Sequence, residues 1–87
     1  MSGYNNRTGI FELTWTKANY WFRRADVPAE CREQKDMEFF ACVLRHHGLN
    51  VLHVDGAFLK VKATPGQIWE ALSGKPSDPE HEAYYTK

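Results

Sequence analysis

Glu38, Cys42 and His46 follow one another at intervals of four residues in a chain of 87. On a helix that spacing aligns all three along one stripe, and Cys31 falls within about 20° of Cys42 around the same axis. A thiolate and an imidazole on adjacent turns can begin a zinc site, but a tetrahedral site needs four ligands. His53 and His81 are the other residues that could complete it, and the chain has no Cys-x-x-Cys, no second cysteine pair and no His-x-x-x-His. The expectation is a small buried thiol beside a helix-end histidine, with no metal and no cofactor. Eleven residues separate Cys31 from Cys42, about 16 Å along a single helix at 1.5 Å per residue. A disulfide needs Cα atoms closer than about 7 Å, so the two cannot bridge each other unless that helix is not a helix. Reduced thiols point to a cytoplasmic setting.

His46 and His47 also raise acid–base catalysis, since imidazole titrates near neutrality. A catalytic histidine needs an orienting carboxylate or a nucleophile within hydrogen-bond reach. Asp55 is better explained by a turn, and no Ser or Cys sits in a recognisable motif. Capping of a helix C-terminus accounts for both histidines. The chain is therefore read as no enzyme.

A different chemistry is available over residues 17–24, where Lys17, Tyr20, Trp21, Phe22, Arg23 and Arg24 interleave cations with rings. Aromatic faces stack on unpaired bases while arginines grip phosphates. Tyr, Trp and Arg equally dominate protein–protein contacts. The plainer option is that Tyr20 and Phe22 are core and that Arg23 and Arg24 solvate a strand end. Charge weighs between the partners: 11 Lys+Arg face 11 Asp+Glu, for a net charge of zero, whereas non-specific nucleic-acid binding draws on a basic excess. The charges are also sorted, +3 over residues 1–24, −3 over 25–44 and −2 over 64–87. Such a dipolar surface favours a protein partner.

Elements must hold these groups in place. Residues 1–8 are polar and read as a flexible start. Residues 10–16 alternate, with Phe11, Leu13 and Trp15 against Glu12 and Thr14, as a half-buried strand does. A turn over 17–19 would return residues 20–24 as a second strand, with a short helix through 17–24 as the alternative. Asp26, Val27 and Pro28 open a helix expected to run to about residues 45–47, with Gly48 at C′. Its first half, residues 30–36, is strongly polar; its second carries the stripe Met37, Phe40, Ala41 and Leu44, widened by Phe39 and Val43.

Asp55-Gly56 suits a two-residue type I′ turn. Pairing around it sets Val54 against Ala57, Leu52 against Leu59 and Asn50 against Val61 on an apolar face. The other face then shows His53 against Phe58, Val51 against Lys60 and Leu49 against Lys62. Thr64-Pro65-Gly66-Gln67 is a capping box with proline at N1, starting a helix over Pro65–Ser73 that Gly74 stops. The fold class is α+β: a small two-layer domain whose antiparallel sheet, two hairpins in ββαββα order, is covered on one face by a long and a short helix. The domain spans 9–74, and residues 75–87, with Pro79, Tyr84 and Tyr85, form a tail. No apolar run approaches the eighteen residues of a membrane span.

Residues 48–73 loosely resemble the wing of excisionase-like winged-helix proteins, in which a hairpin tip contacts DNA. Here Asp55 at the tip repels phosphate, and residues 30–36 are too acidic for a recognition helix, so no family is assigned. The reading is a small non-enzymatic binding or regulatory protein, of the accessory or inhibitor kind that phages and mobile elements encode. Its expected contact surface joins Tyr20, Trp21, Arg23 and Arg24 to the outward hairpin residues His53, Phe58, Lys60 and Lys62. Glu30, Glu33 and Asp36 form a second, acidic patch that could occupy a basic groove on another protein. A nucleic-acid-binding module using the basic-aromatic face is the alternative, and a homodimer through basic-to-acidic contact is allowed.

Overall fold

The computed structural model describes residues 3–76, so the expectations for Pro79, His81, Tyr84 and Tyr85 lie outside the described residues. The elements in chain order are β1 (Tyr4–Asn5), β2 (Ile10–Thr14), α1 (Trp15–Trp21), α2 (Ala29–Arg32), α3 (Asp36–His46), β3 (Asn50–Val54), β4 (Phe58–Lys62) and α4 (Pro65–Ser73). The strands form one antiparallel sheet in the order β1-β2-β4-β3. This is a mixed α+β domain in which each hairpin is followed by helix, as the patterning predicts.

Alternation makes β2: Phe11 and Leu13 are wholly buried while Ile10, Glu12 and Thr14 point the other way. Its hairpin partner is β1, which draws part of the opening eight residues into the sheet. Asn5 closes that loop, its Oδ1 accepting from the Arg7 N–H at 2.9 Å and its carbonyl from the Gly9 N–H at 2.8 Å. Gly9 takes φ 75°, which glycine adopts at little cost.

The second strand expected over residues 20–24 does not form. Thr14 caps α1 instead, its hydroxyl accepting from the Lys17 N–H at 3.2 Å. The buried residues of α1, Ala18 and Trp21, lie three apart, so the helical period carries the burial there. At the first residue of α1, Trp15 ties this end of β2 to the hairpin tip, its N–H donating to the Ala57 carbonyl at 3.0 Å.

The single long helix is also two. Residues 30–36 offer a continuing helix no apolar stripe to bury, and the chain leaves helical geometry after Arg32. It re-enters at Asp36, whose φ of 54° is the one positive value among the described non-glycine residues. Aspartate tolerates this region better than most side chains. From Met37 onward the expected stripe holds: Met37, Phe40, Ala41, Val43 and Leu44 are buried. Gly48 ends α3 at φ 79°, with the Gly48 N–H on the Arg45 carbonyl (2.9 Å) and the Leu49 N–H on the Leu44 carbonyl (3.1 Å), a Schellman motif.

The second hairpin pairs with a different register. Asp55 donates its N–H to the Phe58 carbonyl at 2.8 Å, so the loop is Gly56-Ala57, and neither Asp55 nor Gly56 has a positive φ. Val54 pairs with Leu59, His53 with Lys60, Val51 with Val61 and Asn50 with Lys62, with a register shift between Val51 and His53. Leu52 is the extra, bulged residue. The bulge reconciles two demands: it keeps both Val54 and Val51 on the core side and puts Leu52, expected inside, 48% exposed.

α4 follows its sequence signals closely. Thr64 and Gln67 exchange the two hydrogen bonds of a capping box, and Gly74 stands at φ 75°. Its Ile68 and Leu72 meet the buried residues of the sheet and α3 in one core. Trp21 sits at the centre of one aromatic group, 5.8 Å from Phe11 and edge-on to Trp69 at 5.6 Å. Phe40 gathers another, with Trp15, Phe22 and Phe39 at 5.5, 5.8 and 5.3 Å.

Candidate functional site

The strands bury one alternation only. Phe11, Leu13, Leu59 and Val61 are 0% exposed, while Lys60, Lys62 and His53 on the other face are open to solvent and Phe58, Ile10, Glu12 and Thr14 are half-buried. Among the described residues no helix covers that outward face. His53, Phe58, Lys60 and Lys62 therefore share it as expected, and the His53 ring lies 5.9 Å from that of Phe58. His53 also stands 3.8 Å from Asp55 at the hairpin tip. Across β4, Glu12 is the register partner of Lys60 and Ile10 that of Lys62, both additions that only strand order reveals.

The basic-aromatic segment divides. Tyr20 is 69% exposed, and Arg23, also exposed, holds its guanidinium 5.7 Å from the Tyr20 ring. Trp21, expected on the contact surface, is 1% exposed. The helix that replaced the expected strand turns it into the core. Arg24, also expected outside, is half-buried and tied to the fold. Its Nη1 donates to the Ala71 carbonyl at 2.9 Å and contacts His47 Nε2, and its buried Nε stands 3.4 Å from the Asp26 carboxylate. Burial and the Arg24 charge hold the His47 imidazole below its ordinary value, Asp26 opposing and His46 adding to the depression.

An open cleft of about 270 Å³ lies beside α1, lined by Thr14, Thr16, Lys17, Tyr20 and Trp21. Thr14 belongs to both places: it lines the cleft and pairs with Phe58 on the outward sheet face. Tyr20 is thereby linked to the sheet face, although the two are far apart in sequence.

The break between α2 and α3 assembles the other group. Cys31 and Cys42, expected to be unbridged on one helix, are joined in a disulfide with Cα atoms 5.5 Å apart. Folding α2 back against α3 is what brings them together, and the argument from unpaired thiols to a reducing compartment goes with the long helix. His46 joins them, one ring nitrogen and both sulfurs lying within 4.8 Å of one another. Glu30 lies outside that group but meets the imidazole, its Oε1 2.5 Å from His46 Nε2. Glu38, on the same stripe of α3 as Cys42 and His46, is not in the cluster. Glu33 and Asp36 stay exposed around the break, so the acidic patch exists but Glu30 within it already has a partner. The polar run over residues 30–36 was the signal for the break, since Cys31 is its one buried position and a continuing helix had no stripe to hold it to the core.

Comparison of the chain with protein-family models, with curated proteins and with solved structures finds no match.

Proposed function

We propose that this protein acts without catalysis, by seating an acidic surface of another protein on the outward face of its sheet and on Tyr20 beside it. The observation that carries this reading is the one-sided sheet, which leaves Phe58 half-exposed among Lys60, Lys62 and His53. Rings flanked by cations suit protein contacts, and Lys60, Lys62 and Arg23 against Glu12 and Asp55 leave a local excess of one positive charge, which favours an acidic partner. A regulatory or accessory role, inhibition included, is the work of such a surface. Among the described residues no helix is long and apolar enough to cross a membrane.

The nucleic-acid alternative is weakened by the same structure. Stacking needs open ring faces, and of the segment that supplied them Trp21 is enclosed, while Arg24 is engaged internally.

Capture of partners from the native host tests the proposal with three baits. The wild type and the Glu33→Lys/Asp36→Lys variant should retain the same protein, and the Lys60→Glu/Lys62→Glu variant should lose it. The opposite pattern would move the working surface to the acidic patch. Quenching of tryptophan fluorescence by single-stranded oligonucleotide, with an affinity falling steeply as salt rises, would replace the protein partner with nucleic acid.

A further inference from the structure

We propose that Cys31, Cys42 and His46 form a binding site for Zn²⁺ when the disulfide is reduced, with Glu30 orienting His46, so that disulfide and metal are alternative occupants of one place. This rests on α2 and α3 and is independent of the sheet face. Two sulfurs and an imidazole nitrogen already lie within 4.8 Å of one another, and the Glu30 carboxylate oxygen is 2.5 Å from His46 Nε2. Zinc bonds of about 2.0–2.3 Å in a tetrahedron hold ligand atoms roughly 3.3–3.8 Å apart. Opening the disulfide moves the sulfurs toward that separation, and the Glu30 carboxylate, outside the group, holds the His46 ring as an outer-shell partner does. Two thiolates and one imidazole make a ligand set of the borderline-soft kind that zinc selects, with water in the fourth position.

The chemistry balances. A dithiol reductant gives two electrons and two protons to the Cys31–Cys42 bond, leaving two thiols and becoming a disulfide itself. Zn²⁺ then displaces both thiol protons as two zinc–sulfur bonds form, and it takes a lone pair from His46 and another from water. Access is from the surface side: His46 is 38% exposed and Glu30 67%, Cys42 is half-buried, and Cys31 forms the closed floor.

Cobalt(II) titration of the whole protein, reduced with a phosphine and kept anaerobic, is the test. One equivalent should give thiolate-to-metal charge-transfer absorption and the intense visible bands of tetrahedral cobalt, and Zn²⁺ should abolish both. The oxidised protein should give neither. His46→Ala should weaken cobalt binding at least about tenfold, with Glu30→Gln weakening it less. Both changes are at exposed positions, and circular dichroism of the oxidised variants checks that they fold. Should the reduced apo-protein lose structure, Zn²⁺ is expected to restore it. A reduced wild type that shows no cobalt bands and gains no structure with Zn²⁺ overturns the proposal. So does a folded His46→Ala variant that binds cobalt as tightly as wild type.

Discussion

Arg23 and Arg24 are adjacent and chemically alike, yet one faces solvent over Tyr20 while the other reaches the Ala71 carbonyl on α4. A charged donor on a part-buried carbonyl contributes about 1.5–3 kcal/mol, against near zero for an exposed arginine. Arg24→Ala should therefore lower the urea midpoint by an amount worth about 2 kcal/mol, and Arg23→Ala should leave it within about 0.5 kcal/mol. Equal effects would mean that Arg24 is no more structural than its neighbour. His47, which Arg24 contacts, adds a pH dependence. Its imidazole is held below the ordinary value of 6.5, first by desolvation and then by Arg24. The unfolded chain thus takes the proton more readily than the native one. The contribution is full above that ordinary value and is lost as pH falls through it toward the lower native value. His47→Gln keeps a neutral acceptor there and should flatten the dependence of the urea midpoint on pH between about pH 7.5 and about pH 5. An unchanged slope in the variant would assign the effect to other groups.

At the scale of elements, what could be read in advance was whatever a few neighbouring residues decide by themselves. The capping box of α4, its stop at Gly74 and the end of α3 at Gly48 are all local hydrogen-bond chemistry, and the structure repeats them. Three features departed from what the local signals suggested. Residues 20–24 could have formed a strand, but β2 is flanked by β1 and β4, and Trp21 is worth more packed on Phe11 and Trp69. The Asp55-Gly56 pair suggested a tight turn, but Val51, Val54, Leu59 and Val61 reach one face only with Leu52 bulged. The polar run after Cys31 broke a helix that the flanking signals would have continued; Cys31, Cys42 and His46 were read together on one helix, and the disulfide and the contact of Glu30 with His46 were missed because of the break. The same break sets a measurable quantity. The disulfide closes a loop of eleven residues, which by loop entropy stabilises the fold by about 3 kcal/mol. Urea unfolding of oxidised protein against Cys42→Ser should show that difference. A variant as stable as the oxidised protein would mean that α2 docks on α3 unaided.

For the whole molecule, the size of the sheet limits what it can do alone. β2, β3 and β4 have five residues each, so they cover roughly 17 Å along the strands and about 14 Å across them. That footprint, on the order of 240 Å², falls well short of the roughly 800 Å² that each partner contributes to a stable interface. Allowing side chains to double it does not close the gap. A partner held by the outward face must also contact the molecule beyond the sheet. The route is through Thr14 to the cleft and Tyr20, where a ring 69% exposed adds the apolar contact that Lys60 and Lys62 do not. Tyr20→Ala should accordingly weaken capture of the partner at least about tenfold while leaving the melting temperature unchanged, because its ring lies outside the core. Lys60→Glu/Lys62→Glu should do the same through charge, mainly by slowing association. Were Tyr20→Ala to bind as wild type, contact would be confined to the sheet, and an area so small holds only a transient complex.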